Sequence, residues 1–461
     1  MQTLRLETDA DGIATLTFDE AGSPVNTMTL QWQHDLAEAV SQLERDKERL
    51  RGVLLASAKS TFFAGAELKS VLRLKAEDAG ECFRRIEALK RSFRSLETLG
   101  RPVVALLNGA ALGGGWEVAL AAHARFALDD PKIRFGTPEV TLGLIPGATG
   151  ITKTVRLLGL TAAQPYLLEG KLFGPREALE VGFVQGLAES VEGLRSMALE
   201  WIGTHPAALQ PWDHKDYRMP GGGPSNPKIA AGIAVAPAML AQKTRGLYPA
   251  PQAVLETMVE GALVDYDTAT RIESRKLAKL MVGQTTKNLI TAFFFNLNAI
   301  NSGKSRPQGY ARWKPAKVGV LGAGMMGAGI AHANAARGIP CVLKDVTIEK
   351  AQAGLDAIGR IVASQVAKGR LSEIEQARLL GLVTPTAAAS DLRGCDLIIE
   401  AVFEQRDLKA AVTREAEPML ATGGVFASNT STLPIGGLAA ASAAPERFVG
   451  LHFFSPVQKM K

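Results

Sequence analysis

The chain has 461 residues, 46% of them hydrophobic and 21% charged, with 46 glycines, a composition that excludes a disordered or fibrous protein. At roughly 150 residues per domain, this length predicts about three units, each able to bury its own core. The net charge of +6, from 52 basic and 46 acidic side chains, is spread along the chain, which argues against a nucleic-acid partner and suits small anionic substrates.

The amino terminus, MQTLRLETDADG, has acidic residues where a signal peptide needs an apolar stretch, and it lacks the Arg-rich pattern of a transit peptide. No run reaches the roughly 18 apolar residues of a membrane helix, so no integral membrane segment is expected. Cys82, Cys341 and Cys395 show no CxxC or Cys/His clustering, which argues against a disulfide framework or a metal site. A reducing, cytoplasmic location is the expectation.

To about residue 188, β-like runs (ATLTF, RGVLLAS) alternate with amphipathic segments such as LQWQHDLAEAVSQLERDKERL, an α/β pattern. Within it stand FFAGAE (62–67), NGAALGGGWE (108–117) and GTPEVTLGLIPGATG (136–150). Glu117 and Glu139 are carboxylates beside glycine-rich backbone that can approach a ligand closely, and such a pair suits divided acid and base work. From about 189 the pattern breaks at HPAALQPWDHKDYRMPGGGPSNP and then turns helical, so residues 189–311 read as a helical linker with an internal loop.

A third region, 312–461, opens with KPAKVGVLGAGMMGAGIAHANAARGIPCVLKDV: apolar run, glycine cluster, helix-like segment, second apolar run. Gly322, Gly324 and Gly327 complete a G-x-G-x-x-G, with the first Gly for the tight turn, the second for backbone approach to a pyrophosphate and the third for close helix packing. Asp345 ends the next apolar run, where a carboxylate binds an adenosine ribose and repels a 2′-phosphate, so NAD is favoured over NADP. The four features in this order carry the reading, since a glycine turn alone is common.

Residues 1 to about 188 resemble the crotonase, or enoyl-CoA hydratase/isomerase, superfamily through A-G-A-E, A-L-G-G-G-W-E and P-E-V-T-L-G-L-I-P-G in family order. The resemblance implies a ββα spiral and a coenzyme A thioester as substrate. It assigns the N–H groups of Ala66 and Gly114 to an oxyanion hole, Glu117 to activating water and Glu139 to protonating C2. The same pair would also suit isomerisation of a 3-enoyl thioester. Thr149 stands where the family usually has Gly, Trp116 would narrow the acyl pocket or act as a packing variant, and His123 replaces a frequent Asp. Lys59 reads as a solvated surface side chain or a contact to coenzyme A phosphates.

From 315 on, GAGMMGAGIA, KDV, DLIIEAVFE, SNTSTL and HFFSPV resemble the L-3-hydroxyacyl-CoA dehydrogenases. That implies a Rossmann domain in which Met326, Asp345, Val402, Glu404, Lys409 and Ser431 line the NAD or substrate site. His452 would be the base that takes the hydroxyl proton, a task suited to imidazole. The family's partner Glu, its second Asn and its helical substrate domain have no counterpart before Lys461, so the dehydrogenase site is expected to be incomplete within this stretch. Ser455 stands where the family often has Asn. The two parts in this order resemble the multifunctional fatty-acid oxidation enzymes, whose α subunits pair with a thiolase subunit. Alternatives are an enoyl-CoA isomerase, or an acyl-CoA and NAD-binding fragment without a competent dehydrogenase site.

Overall fold

The computed structural model describes residues 1–460. They form two compact units, Met1–Arg306 and a second beginning at Pro307, where length alone suggests about three.

The first unit contains strands β1 (Leu4–Thr8), β2 (Ile13–Phe18), β3 (Gly52–Ser57), β4 (Val103–Leu107), β5 (Ala111–Leu112), β6 (Ala124–Leu128), β7 (Phe135–Gly136) and β8 (Gly186–Ala188). Six form one sheet in the order β1-β2-β3-β4-β6-β8, and β5 pairs with β7 beside it. Only β1 and β2 run antiparallel, with Leu4 opposite Phe18, and the strands that follow add in parallel. VVALL of β4 is buried at all five positions, as an interior parallel strand covered on both faces requires.

Helix α1 (Leu30–Asp46) starts where the Thr29 hydroxyl accepts the Trp32 N–H at 3.1 Å. It buries Trp32, Leu36, Ala39, Val40 and Leu43, one stripe at helical spacing. Further helices are α2 (Ala79–Glu97), α3 (Gly114–Leu120), α4 (Gly150–Ala162), α5 (Val191–Thr204), α6 (Pro227–Thr244), α7 (Pro249–Gly261) and α8 (Tyr266–Met281).

Residues 189–306, most of the stretch that reads as a linker, belong to the same compact unit as residues 1–188. Helix α7 packs on α4 and α8 packs on α2. The Pro-rich loop is tied in as well: Asp213 pairs with Arg94 at 2.6 Å, and Trp212 stacks on Tyr266.

The second unit is a parallel sheet of β9 (Val318–Leu321), β10 (Cys341–Lys344), β11 (Val383–Thr386), β12 (Cys395–Glu400), β13 (Leu420–Ser428) and β14 (Phe448–Gly450). Their order is β11-β10-β9-β12-β13-β14. This is the doubly wound order, and it reverses between β9 and β12, the point outside whose carboxyl ends such sheets bind ligands. Helices α9 (Met325–Ala335), α10 (Ile348–Ala367) and α11 (Arg406–Ala416) are among its crossovers. Val318, Val320, Ile330, Leu343 and Ile358 form its core. No helix among the described residues is long and apolar enough to cross a membrane.

Candidate functional sites

A cavity of about 210 Å³ opens in the first unit, lined by Ala66, Gly114, Glu117 and Glu139 together with apolar side chains that include Leu68, Ile86, Leu144, Leu277 and Met281. The sequence-predicted residues of this unit therefore converge on one cavity. Helix α8, far along the chain, supplies part of its wall.

Glycine backbone brings these groups together. Gly113 has φ +56, and a β-carbon there would lie 2.8 Å from a Glu139 carboxylate oxygen. The turn it makes starts α3, which carries Glu117 in its first turn. Gly65, at φ +96, lies on the other side, where a β-carbon would be 3.8 Å from the Gly114 nitrogen. The N–H groups of Ala66 and Gly114 have no hydrogen-bond acceptor among the described residues, and both residues line the cavity. Two free backbone donors beside one apolar cavity fit a developing oxyanion.

Glu117 is 3% exposed. Its Oε1 accepts N–H groups from Ala148 and Gly150, both at 2.7 Å. Gly150 is required here, because a β-carbon would sit 2.7 Å from that oxygen. Burial, then the negative charge of Glu273, push the Glu117 carboxyl up to about 7, against the two N–H donors and Lys90. Glu139 sits on the short 3₁₀ segment Pro138–Leu142, half-buried, with Oε2 lacking any hydrogen-bond partner. Burial and the Glu117 charge push its carboxyl well above the usual range. Glu117 can therefore take up and release a proton near neutrality, while Glu139 is driven towards its protonated form.

The sequence reading missed a charged network behind this pair. Glu273 of α8 is fully buried and accepts the Thr149 N–H at 2.6 Å and the Thr152 N–H and hydroxyl at 3.0 and 2.7 Å. Lys90 lies 3.7 Å from it, and the fully buried Lys153 pairs with Glu97. Thr149 adopts φ +88, so the departure from glycine is met by a β-branched residue in the left-handed region.

Trp116 does not line the cavity, so it acts as a packing variant and does not narrow it. It is 1% exposed and packs on Phe135, Phe173 and Phe183, away from the cavity lining. His123 is buried, with Nδ1 accepting the Val103 N–H at 3.0 Å and Nε2 3.0 Å from the Glu97 carbonyl, and burial pushes it down to about 4. Lys59 pairs with Asp19 at 2.9 Å.

In the second unit, the glycine loop joins β9 to α9. Gly322 turns at φ +89, and a β-carbon at Gly327 would lie 1.7 Å from the Gly322 carbonyl oxygen, so loop and helix touch backbone to backbone. At Gly324 a β-carbon would meet nothing within 4 Å. The loop is thus open at its middle glycine, the place where a dinucleotide pyrophosphate approaches. Asp345, just past β10, accepts the Ala323 N–H at 2.7 Å and holds the loop. A small depression runs from Gly322 and Asp345 to Val402. These residues fit an NAD.

Lys409 is 2% exposed, with Nζ 2.9 Å from both Glu400 oxygens and 3.2 Å from Glu404. Glu404 accepts the N–H groups of Ser431 and Thr432 at 3.0 and 3.2 Å and the Thr430 hydroxyl. Burial opposes its ionisation, but the Thr430 and Lys409 hydrogen bonds outweigh that and hold it down to about 2. Glu404 is therefore a clamp on the Ser431 loop. His452 is exposed and stacks on Phe454, with ring centroids 4.7 Å apart. Met326 packs partly against the core, whereas its neighbour Met325 is 75% exposed and lies 3.9 Å from the Ser455 hydroxyl. The sequence reading named Met326 and missed Met325 and Glu400.

Fold and sites define a crotonase-type unit followed by a Rossmann-type dinucleotide unit. Residues 8–210 match the family described as enoyl-CoA hydratase/isomerase, and residues 317–461 that described as 3-hydroxyacyl-CoA dehydrogenase, NAD binding domain. The two matches follow one another along the chain in this order, and the curated relatives it aligns with are named fatty acid oxidation complex subunit alpha. That of Shewanella sp. (strain MR-4) is 32% identical over 466 aligned positions, covering all of this chain and 64% of the relative's length. That of Shewanella frigidimarina is 32% identical over 461, again covering all of this chain and 64% of the relative. Among solved structures, the (S)-3-hydroxybutyryl-CoA dehydrogenase of Ralstonia eutropha is 34% identical, covering 32% of this chain and 52% of that one, with a TM-score of 0.31.

Proposed function

We propose that this chain acts in fatty-acid β-oxidation, hydrating a trans-2-enoyl-CoA and contributing the NAD-binding half of a 3-hydroxyacyl-CoA dehydrogenase. Residues 1–188 with 189–311 serve hydration, and 312–461 serve oxidation. The observation that carries the reading is the convergence of Glu117, Glu139 and two unpaired N–H groups on one apolar cavity.

The N–H groups of Ala66 and Gly114 hold the thioester oxygen as it gains charge, each worth about 3 kcal/mol to the transition state. Ionised Glu117 takes a proton from water, the water oxygen bonds to C3, and Glu139 delivers a proton to C2. The product is a 3-hydroxyacyl-CoA. The two N–H bonds from Ala148 and Gly150 fix the Glu117 rotamer, so little reorientation precedes the step.

In the second domain, the backbone at residues 322–325 and the positive end of α9 would hold the pyrophosphate of NAD. Asp345 and Val402 would lie along its adenosine half. When bound, NAD supplies a hydride acceptor. His452 removes the C3 hydroxyl proton, and Lys409, through Glu400 and Glu404, keeps the Ser431 loop in place beside the strand ends.

The relatives are named as subunits, so a second subunit belongs to those complexes. We take the partner here to be a thiolase, whose chemistry consumes the 3-ketoacyl-CoA. Three buried free thiols suit a cytoplasmic setting. The test follows the two activities separately: loss of the conjugated enoyl thioester absorbance, and formation of NADH from 3-hydroxyacyl-CoA. Hydration abolished by Glu117→Gln supports the reading. A chain that only moves a 3-enoyl double bond to position 2 overturns it in favour of an isomerase.

A further inference from the structure

Three successive N–H groups where the turn enters α4 are divided between two carboxylates. Ala148 and Gly150 donate to Glu117 Oε1, both at 2.7 Å, while Thr149 between them donates to Glu273 Oε1 at 2.6 Å. Glu273 Oε2 also takes the Thr152 N–H and hydroxyl, so it grips the turn and the first turn of α4 together. Thr149 holds φ +88, a conformation that a β-branched residue keeps only where its surroundings over-determine it. All of these groups are buried, and without Glu273 two N–H donors would lack acceptors.

We infer that Glu273, on α8, is a positioning residue for hydration: it holds Thr149 in its left-handed conformation so that the flanking N–H groups aim the Glu117 carboxylate into the cavity. The inference rests on the proposed role of Glu117. It explains how the turn is kept with a β-branched residue in the left-handed region. Lys90, from α2, is anchored to the Thr270 carbonyl at 2.5 Å and lies 3.7 Å from Glu273, which limits how far that carboxylate moves. The charged and titratable groups facing Glu273 are Lys90 of α2, Lys153 and Arg156 of α4, Tyr266 of α8, and Glu117 and Glu139 of the site, while Glu87 of α2 lies beside Lys90 and accepts the Ser274 hydroxyl at 2.6 Å. Loss of the Glu273 charge removes a negative neighbour from Glu117.

The experiment measures hydration of trans-2-butenoyl-CoA by the full chain, comparing Glu273→Ala, Thr149→Gly and the double variant, with Glu273→Gln for its pH profile. Glu273→Ala is expected to lower kcat about 10- to 100-fold, with a much smaller change in KM. Adding Thr149→Gly relieves the strained turn and restores about fivefold or more of that loss. Glu273→Gln moves the acid limb of the rate profile to lower pH.

An unchanged kcat in Glu273→Ala, or an equal loss with and without Thr149→Gly, overturns the inference. Should Glu273→Ala not fold, an unmoved acid limb in Glu273→Gln overturns it. If the wild-type chain shows no hydration, the hydratase reading falls. The inference is then read from hydrogen exchange of the Ala148 and Gly150 amides, which Glu273→Ala accelerates and Thr149→Gly slows again; equal exchange in all variants overturns it.

Discussion

Glu117 in the first unit and Glu404 in the second are held by the same kind of contact and are driven in opposite directions. Glu117 accepts the N–H groups of Ala148 and Gly150, and Glu404 those of Ser431 and Thr432. Burial and the neighbouring Glu273 raise Glu117 to about 7, whereas the Thr430 hydroxyl and Lys409 hold Glu404 at about 2. Backbone donors therefore do not decide what a carboxylate does. The charges around it and its access to water do: Glu117, buried beside Glu273, is driven towards its neutral form, whereas Glu404, beside Lys409, is held as a carboxylate.

Besides Glu117, the largest expected effect comes from the carboxylate with least support. Glu139→Gln should slow hydration by about 10²- to 10⁴-fold in a steady-state assay, the range lost with a general acid. Its melting temperature should not fall, because Oε2 has no hydrogen-bond partner to lose. Next, hydration should fall about tenfold per pH unit as pH drops below about 7, since Glu117 must be ionised to take the proton from water. A rate that stays flat from pH 8 to pH 5 would break the contrast with Glu404.

In the second unit, Gly327→Ala should destabilise by about 3 kcal/mol in denaturant unfolding, because its β-carbon would lie 1.7 Å from the Gly322 oxygen. Gly324→Ala meets nothing within 4 Å. It should leave stability unchanged and weaken NAD binding about tenfold by calorimetry, through loss of close backbone approach.

The smallest effect concerns Glu404. Its folded value of about 2 lies below the ordinary 4.5, so its contribution to stability is present above 4.5 and is lost as pH falls from there towards 2. At a side chain 36% exposed, solvent screening limits that loss to about 1 kcal/mol or less. Glu404→Gln should flatten that part of the stability curve.

The groups legible in the sequence are those whose chemistry constrains neighbouring residue types. Gly113, Gly322 and Gly327 mark backbone that no side chain would fit, so the oxyanion turn and the dinucleotide loop announce themselves. The parallel strands follow from short apolar runs such as RGVLLAS and KVGVL. Glu273 was not legible, because in YDTATRIESRKLAKLM it reads as one of many polar positions on an amphipathic helix, and its partners lie more than 100 residues earlier. The signal that could have found it is Thr149, a β-branched residue where a left-handed turn favours glycine. Likewise, spacing alone does not say which of Met325 and Met326 turns outward. Nor did local pattern reveal that α8 walls the cavity, since such contacts arise only when distant helices pack.

Trp116 has a consequence for how this cavity can change. The indole sits among Phe135, Phe173 and Phe183, behind the helix that carries Glu117, while Leu68, Ile86 and Leu277 line the cavity. The packing beneath Glu117 and the lining of the cavity are thus separate sets of residues. Substitution at Leu68, Ile86 or Leu277 would therefore reshape the cavity while leaving the aromatic packing beneath Glu117 in place.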